Sequence, residues 1–294
     1  MMAREIVIDL ANYQANLSVQ DYKKIGAKYA IVKTSENTNY VNECAKALVN
    51  RSALGGVKGF AFYHFGRFHN DGDAVKEAKY FIKNAEKLFN VKKNTLLILD
   101  AEIKDMPTSS VITFLNEIRK AGYKSGFYTY KYLLDGFNLK KIKPYMDLFW
   151  LAAYPLANGK AANKNPDFNY FPSADYVDLW QYTDNLLGYK VDGSITVTDN
   201  AINLFNPEGA PKGANKSKWV KKSGTFTLAE DLHLHESPHI DSPSIALLKK
   251  GDVIKFDATL QGPKRLWLRQ PRATSTYGYI VARDKYDKPL GKID

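Results

Sequence analysis

Two acidic side chains, Asp100 and Glu102, stand two residues apart at the end of the apolar run Leu96-Leu-Ile-Leu. An apolar run of this length predicts a strand buried on both faces, as in a parallel sheet. Side chains two apart on a strand point the same way, so both carboxyl groups are expected to project together. Two close carboxyls cannot both ionise freely, and one tends to keep its proton near neutral pH. Such a pair can cleave a glycosidic bond, while two solvated acids at a strand end are the structural alternative.

Similar apolar runs recur through the first two thirds of the chain. They lie at residues 6–9, 29–33, 59–64, 96–100, 125–129, 148–152 and 177–182, with a weaker eighth run at 191–197. Helical patterns fall between some of them, at 73–88 and 109–121. Strands that alternate with helices predict βα units and a parallel sheet. Eight strands in about 200 residues fit a small closed barrel, which is irregular because the later connecting helices are short or absent.

The pattern changes after residue 205. Residues 206–217 are rich in Pro, Gly and Lys without apolar periodicity, which indicates a linker. From Trp219 onward short alternating strands are predicted at 224–228, 252–256, 265–269 and 277–282. We therefore expect an α/β chain made of an irregular (β/α) TIM-like barrel over 1–205, a linker over 206–217, and a small all-β domain over 218–294.

The predicted barrel strands end in side chains that could bind and cut a sugar polymer. In a barrel these ends converge on one rim. Aromatic rings stack on the apolar faces of pyranoses, while acids and other polar groups bind hydroxyls. The rim set is Asp9, Lys33, Glu36, Tyr63, His64, Asp100, Glu102, Tyr128, Tyr154 and Trp180.

The order and spacing of these motifs resemble glycoside hydrolase family 25, the lysozyme family that includes many bacteriophage endolysins. The resemblance covers about residues 4–205. It implies cleavage of the β-1,4 bond between N-acetylmuramic acid and N-acetylglucosamine in peptidoglycan, without a metal or cofactor. The motifs are Val7-Ile-Asp-Leu-Ala-Asn-Tyr-Gln14, Lys33-Thr-Ser-Glu36, Phe62-Tyr-His-Phe65, Leu99-Asp-Ala-Glu102, Gly126-Phe-Tyr128, Trp150-Leu-Ala-Ala-Tyr154 and Leu179-Trp-Gln-Tyr182.

The resemblance also implies roles for single residues. Glu102 is expected to be the general acid, and Asp100 to stabilise developing positive charge or to orient the N-acetyl group of the substrate. Asp9 belongs to the same acidic cluster. A further family aspartate follows the Trp-Gln-Tyr strand, and of the two candidates, Asp192 and Asp199, the first has the better flanking sequence.

The remaining rim residues are expected to line the substrate groove. They are Lys33, Glu36, Tyr63, His64, Tyr128, Tyr154 and Trp180. A lone histidine is more often structural, so both roles stay open for His64.

The tail resembles, less closely, the bacterial SH3-like wall-binding domains that follow such catalytic domains. Trp267, Tyr277 and Tyr279 are expected to form a wall-binding groove, with core packing as the alternative for some of them. We interpret nearby His233 and His235 as a solvated strand face, because no carboxylate or cysteine completes a familiar metal-site spacing.

Composition narrows the choice of partner. The chain has 294 residues, a net charge of +11 and one cysteine, which excludes an internal disulfide framework. Residues 206–294 alone carry a net charge of +6, which favours an anionic partner such as teichoic acid. Nucleic-acid binding is disfavoured, because no helix-turn-helix, ribonucleoprotein motif or zinc finger is present.

We therefore predict a monomeric, modular peptidoglycan hydrolase: a phage or prophage endolysin that lyses Gram-positive cells. The sequence shows no signal-peptide region and no membrane-spanning segment, so we expect synthesis in the host cytoplasm and holin-type release, without membrane insertion. The alternatives are a non-catalytic carbohydrate-binding protein on the same scaffold, which Asp100 and Glu102 disfavour, and a wall amidase or peptidase, which lacks an apparent zinc set or Cys-His pair.

Overall fold

The computed structural model describes residues 4–156, 159–205, 219–240, 242–261, 265–272, 276–284 and 288–294. The chain divides into two compact units, residues 1–212 and 213–294. The division falls inside the predicted linker at 206–217, and that segment lies outside the described residues.

The first unit alternates strands with helices. Its strands are β1 (Ile6–Leu10), β2 (Tyr29–Glu36), β3 (Tyr40–Val41), β4 (Gly59–Phe65), β5 (Leu96–Asp100), β6 (Lys124–Tyr130), β7 (Leu148–Ala152), β8 (Leu179–Thr183) and β9 (Asp192–Thr196). Its α-helices are α1 (Val19–Ile25), α2 (Ala45–Leu54), α3 (Asp71–Phe89), α4 (Thr108–Lys120), α5 (Leu139–Ile142) and α6 (Asp199–Leu204). Short 3-10 helices lie at Asn12–Gln14, Lys131–Gly136, Lys143–Tyr145 and Phe168–Tyr170. The eight predicted strands and both predicted helices are confirmed.

Eight of these strands close into a barrel. Their order is β1, β2, β4, β5, β6, β7, β8 and β9, and β9 pairs with β1, while β3 extends from β2 as a hairpin. The first seven are parallel, but β9 is antiparallel to both of its neighbours. Only residues 184–191 join β8 to β9, too few for the crossover that a parallel pair requires. The predicted irregular barrel is therefore confirmed, with one reversed strand that begins at the rim where the others end.

Alternation along the strands divides the apolar side chains between two cores. One core fills the barrel interior and includes Val7, Ile31, Ala61, Ile98, Leu148 and Leu179. The intervening side chains face outward and pack beneath the helices. Helix α6 and Phe205 close the end of the barrel opposite the rim, where Phe205 stacks on Tyr29 with ring centroids 4.9 Å apart.

Local sequence fixes the ends of the longest helix. The side chain of Asn70 accepts a hydrogen bond from the backbone N–H of Asp73 and caps the start of α3. Asn90 ends the helix in the left-handed conformation, with φ at 50°. The inner face of α3 buries Phe81, and that of α4 buries Phe114, both against the outer side of the barrel.

The second unit is an antiparallel sheet, which confirms the predicted all-β tail. Its strands are β10 (Val220–Leu228), β11 (Leu232–His235), β12 (Ser244–Leu248), β13 (Val253–Gln261), β14 (Leu266–Pro271), β15 (Tyr277–Arg283) and β16 (Gly291–Ile293). They pair in the order β12-β11-β15-β14-β13-β10-β16. Apolar side chains pack on both faces: a larger cluster around Phe226 and Leu268, and a smaller one around Trp267 and Val281. Across the described ranges, no helix is long and apolar enough to span a membrane.

Gly59 tests how the closed end of the barrel is packed. A Cβ at this position would lie 2.1 Å from the carbonyl oxygen of Phe205, so Gly59→Ala must displace the chain that follows α6. Overpacking of this kind costs about 1–3 kcal/mol, and we expect a lower midpoint of thermal unfolding. Gly136→Ala is the matched control, since its Cβ meets nothing within 4 Å. Equal stability of the two variants would contradict this packing.

Candidate active site

Four carboxyl groups gather at the rim of the barrel. Asp9 lies near the end of β1, Asp100 ends β5, and Glu102 follows two residues later. Asp192 begins the reversed strand β9 and is the register partner of Asp9. Asp199 lies exposed in the first turn of α6, beyond the other end of β9. The structure thus brings Asp192 to the acidic cluster, and it places Asp199 away from it.

Burial raises the pKa of every carboxyl group in the cluster. For Asp9 the charges of Asp192 and Glu102 add to burial, and its pKa stands well above the usual range. Burial, followed by the charges of Glu102 and Asp9, likewise raises the pKa of Asp100. Burial, followed by the charge of Asp184, raises the pKa of Asp192 to about 7. The cluster therefore holds protons at a pH where solvated acids would be ionised.

Asp100 and Glu102 lie beside each other at the rim, as their spacing predicts, with Asp100 buried and Glu102 half-buried. Burial, followed by the charges of Glu102 and Asp9, raises the pKa of Asp100. Burial also raises the pKa of Glu102, and nearby Tyr128, Asp100, Lys33 and Arg67 oppose part of that rise. Two close carboxyls cannot both ionise freely, so the pair retains a proton near neutral pH.

A short chain of ion pairs borders the acids on the β2 side. Lys33 Nζ lies 2.6 Å from Glu36 Oε2, and Arg67 donates to Glu36 Oε1 through Nε at 2.9 Å and Nη2 at 2.7 Å. Burial alone would raise the pKa of Glu36, but the hydrogen bonds from both cations outweigh it and lower this pKa. The charge of Lys33 also lowers the pKa of Asp9 and Asp100. Lys33 and Glu36 thus lie beside the cluster, half-buried.

The three predicted tyrosines surround the carboxyl groups. Tyr63 lies beside Asp9 and Tyr128 beside Glu102, and each phenol lowers the pKa of its neighbouring carboxyl. Tyr154 lies near Asp192, whose charge adds to burial in raising the pKa of this phenol. All three phenols are neutral donors or acceptors, because burial raises the pKa of each well above its usual value.

His64 does not line the groove, and the predicted substrate contact is wrong. The ring is fully buried outside the barrel, with Nδ1 2.9 Å from Ser35 Oγ and Nε2 2.9 Å from Glu77 Oε2. Burial lowers the pKa of His64, so the neutral ring accepts from Ser35 and donates to Glu77. Adjacent residues on a strand face opposite sides, and Tyr63 already takes the inner side.

The prediction for Trp180 is wrong for the same reason, because it ignored the alternation of side chains along the strand. Trp180 is fully buried among the outward-facing residues, packs edge-on against Phe168 and Phe171, and donates from Nε1 to the Ala153 carbonyl at 2.8 Å. The inward-facing residue of this strand is its neighbour Gln181. The predicted sugar contact at Trp180 is therefore wrong.

In the second unit the three predicted wall-binding residues differ in how far they are exposed. Trp267 is only 4% exposed and packs edge-on against His235, so it belongs to the core and the predicted surface role is wrong. Tyr277 is 40% exposed and carries the Arg269 guanidinium 4.3 Å above its ring. Tyr279 is half-buried and packs on Trp219 with centroids 5.5 Å apart.

Of the two histidines of β11, only His235 differs from the predicted solvated face. His233 is exposed and its Nδ1 lies 2.8 Å from Ser244 Oγ. His235 is buried, with Nδ1 2.8 Å from the Ser242 carbonyl oxygen. Over the described residues no group of three or more His, Cys, Asp or Glu side chains has the arrangement of a metal site.

A family model described as glycosyl hydrolases family 25 matches residues 8–189, more than half of the chain. The chain belongs to glycosyl hydrolases family 25. The matched range contains Asp9, Asp100 and Glu102 and ends just before Asp192, which the reversed strand β9 adds to the cluster.

Two curated phage proteins resemble this family 25 chain. The lysozyme of Streptococcus phage Cp-9 is 31% identical over 233 residues, which is 76% of this chain and 63% of that protein. The D-alanyl-L-alanine endopeptidase of Streptococcus phage B30 is 27% identical over 279 residues, 88% of this chain and 60% of that protein. The chain thus spans less than two thirds of the length of either relative.

A solved structure of the family shares the fold. The catalytic domain of endolysin ply40 from bacteriophage P40 of Listeria monocytogenes superposes with a TM-score of 0.57 at 24% identity, covering 69% of this chain and 98% of that chain. At this identity the likeness establishes the fold alone.

Four further residues of this family 25 site were not predicted: Arg67, Tyr130, Gln181 and Asp184. Strand alternation could have indicated Gln181, because Trp180 and Gln181 cannot both face the barrel interior. Arg67 and Asp184 lie in loops, where the sequence gives no periodic signal. Tyr130 ends β6 two residues after Tyr128, on the same inner side.

Asp192 provides a test of how much stability the folded protein loses when a carboxyl of the cluster ionises. Its pKa is about 7 in the folded protein, against about 4 for an unfolded aspartate. Because this pKa is raised by folding, the contribution of protonated Asp192 to the free energy of unfolding is complete below the pKa of the unfolded state. It is lost as the pH rises through the pKa of the folded state. We expect Asp192→Asn to unfold at a higher temperature than wild type near about pH 8, by the equivalent of about 1–3 kcal/mol.

The difference between Asp192→Asn and wild type is expected to vanish near about pH 4, where the aspartate is protonated in the folded state. Asp199→Asn is the matched control, because Asp199 is exposed in the first turn of α6. That variant loses a favourable helix-dipole contact and becomes slightly less stable. A lower melting temperature for Asp192→Asn near pH 8 would contradict the raised pKa.

Proposed function

We propose that the first unit is an N-acetylmuramidase that cleaves the β-1,4 bond between N-acetylmuramic acid and N-acetylglucosamine. The observation that carries the proposal is the cluster of Asp9, Asp100, Glu102 and Asp192, in which burial raises every pKa at the barrel rim. Hydrolysis of a glycosidic bond needs a carboxyl that is still protonated near neutral pH beside others that become negatively charged.

Glu102 is the general acid in this proposal. It is the more exposed of the two neighbouring carboxyls, so a glycosidic oxygen in the groove could approach it. Proton transfer to the leaving group lets the sugar ring develop positive charge, which ionised Asp9 or Asp192 would stabilise from within the cluster. Asp100, buried at the end of β5 beside Glu102, would stabilise developing positive charge or orient the N-acetyl group of the substrate.

The neighbouring polar side chains would bind the substrate. Tyr63, Tyr128 and Tyr154 present hydroxyls at the rim, and the Lys33–Glu36 pair offers a cation and an acceptor for sugar hydroxyls. The charge of Lys33 lowers the pKa of Asp9, Asp100 and Glu102, and so favours the ionised form of part of the cluster.

The whole chain is proposed to act as a phage or prophage endolysin on Gram-positive peptidoglycan, as a monomer, after synthesis in the host cytoplasm and holin-type release. The likeness to the lysozyme of Streptococcus phage Cp-9 supports this role. The second unit would be an SH3-like wall-binding domain, and its excess of positive charge would favour teichoic acid as an additional contact.

Glu102→Gln tests the chemistry. The amide keeps the shape of the side chain but cannot donate a proton, so we expect hydrolysis of purified peptidoglycan to fall by about 10²–10⁴-fold. New reducing sugar ends are the measurement, and wall sedimentation of the variant is expected to match wild type. Glu117→Gln is the matched control, because Glu117 lies on α4 and pairs with Lys120 at 2.8 Å.

The cleavage products decide between the alternatives. New reducing ends support a muramidase, whereas new free amines would support the endopeptidase activity that the name of the phage B30 relative suggests. Neither product from active wild-type preparations would indicate a non-catalytic carbohydrate-binding protein. If Glu102→Gln kept more than about a tenth of wild-type activity, Glu102 would not be the general acid.

Tyr277→Ser in the full chain tests wall binding. The substitution removes an exposed ring that stacks with Arg269, so we expect less protein to sediment with purified Gram-positive walls, while cleavage of soluble glycan fragments is unchanged. Added salt is expected to weaken part of the wild-type binding, because exposed charges are screened beyond about 8 Å at physiological ionic strength. Val253→Ser, at another exposed apolar position of the unit, is the control. Equal sedimentation of both variants would exclude this surface.

A further inference from the structure

The loop that leaves β4 is fixed at three consecutive residues, 66–68, and it carries Arg67 to the rim. The backbone N–H of Gly66 donates to the Asp100 carbonyl oxygen at 3.0 Å. The backbone N–H of Arg67 donates to Glu77 Oε2 at 2.9 Å, and the ring of Phe68 is buried. The loop is therefore tied both to the strand end that carries Asp100 and to helix α3.

Glu77 is a buried acid of α3 that does not belong to the acidic cluster, and its side chain is only 4% exposed. Its Oε2 accepts two hydrogen bonds, one from the backbone of Arg67 and one from His64 Nε2, each at 2.9 Å. His64 Nδ1 in turn lies 2.9 Å from the Oγ of Ser35 on β2. A single oxygen on α3 thus connects the loop after β4, β4 itself and β2.

Packing alone does not explain an acid at position 77. Most of the residues that α3 buries are apolar, and a buried carboxyl group destabilises the fold unless nearby donors compensate it. Both donors on Oε2 are N–H groups, and an apolar side chain of similar size could accept neither. The function of Glu77 is therefore to be found in what these two N–H groups hold in place.

The side chain of Arg67 acts on the ion pair that borders the acids. Its Nε and Nη2 both donate to Glu36 Oε1, at 2.9 and 2.7 Å, while Lys33 Nζ lies 2.6 Å from Glu36 Oε2. The guanidinium also lies 4.5 Å above the ring of Phe65. A planar guanidinium with two hydrogen bonds and a stacked ring has one defined orientation, so its reach depends on where its backbone lies.

We propose that Glu77 is a positioning residue for the substrate groove, which holds the backbone of Arg67 and through Arg67 and Glu36 fixes the place of Lys33. Glu77 lies outside the barrel with His64, on the side of β4 opposite to Tyr63. Its contribution is therefore to substrate binding and not to proton transfer. The effect on binding rests on the proposed muramidase function.

Glu77→Met tests the hold on the loop, since it removes the acceptor and keeps an unbranched side chain of similar length. The measurement is amide hydrogen exchange by NMR in the full-length protein without substrate. We expect the Arg67 amide to exchange about tenfold faster or more, because loss of a buried hydrogen bond makes local opening easier by about that factor. Glu77→Gln keeps an oxygen for both donors, and we expect protection as in wild type.

The kinetic constants test the effect on the groove. We expect Glu77→Met to raise the KM for soluble glycan fragments by about 3–10-fold with kcat nearly unchanged, because a lost binding contact acts on KM. Glu77→Gln is expected to restore the wild-type KM. Ser35→Ala is the matched control, since it removes the hydrogen bond on the other side of His64 and leaves the Arg67 amide bound to Glu77. This control is expected to keep wild-type exchange and KM.

A double-mutant cycle tests the route through the guanidinium. Arg67→Met removes the two hydrogen bonds to Glu36, so the position of the backbone at residue 67 no longer affects Lys33. In that background we expect Glu77→Met to add no further rise in KM, as a coupling through Arg67 requires.

Four results would overturn the proposal: a protected Arg67 amide in Glu77→Met, an unchanged KM in that variant, an equal rise in KM on Ser35→Ala, or a further rise in the Arg67→Met background. If Glu77→Met does not fold, Glu77→Asp replaces it, because the shorter side chain withdraws the oxygen from both donors. Wild-type exchange and KM in Glu77→Asp would then overturn the proposal.

The exchange measurement needs no activity, so it separates this proposal from the muramidase function. Wild-type protein that releases no reducing ends would contradict the function, while faster Arg67 exchange in Glu77→Met would still support the hold of Glu77 on the loop. An active wild type with unchanged Arg67 exchange in Glu77→Met would contradict the positioning role alone.

Discussion

The first unit depends on the cost of keeping four carboxyl groups out of water in one place. A buried charge without a partner is expensive, and like charges at close range add to the cost. The nearest cations compensate only in part, because Lys33 and Arg67 are already engaged with Glu36. The cluster is therefore tolerated mainly because its members retain protons and meet phenol hydroxyls. The burial that destabilises the folded protein also keeps a carboxyl group protonated near neutral pH.

Strand direction is what brings the four acids together. Parallel strands deliver Asp9, Asp100 and Glu102 to the rim because all of them lie at carboxyl ends. Asp192 reaches the same rim from the start of its strand, which is possible only because β9 runs the other way. The short connection at residues 184–191 forces that reversal. Helix α6 then begins at the opposite end, so Asp199, seven residues along, cannot join the cluster.

The sequence predicts the fold and the position of the acids correctly, but it does not predict which side chains line the groove. Apolar runs and helical periodicity located every barrel strand, and the spacing of Asp100 and Glu102 placed both carboxyls at one rim. The errors at His64 and Trp180 come from choosing residues by type without enforcing alternation. Tyr63 and His64 cannot face the same side, and the structure assigns the inner side to the tyrosine. The prediction for Trp267 is wrong for a different reason. The small sheet of the second unit has apolar clusters on both faces, so it buries rings on either side.

What no local pattern could give is which side chains meet across the barrel. The four acids come from β1, from β5 and the loop after it, and from β9. Each residue type is ordinary at a strand end, and their proximity exists only once the barrel closes. The raised pKa of Glu102 is therefore a property of the closed barrel, because burial is its largest cause, and the two-residue acidic motif alone does not determine it.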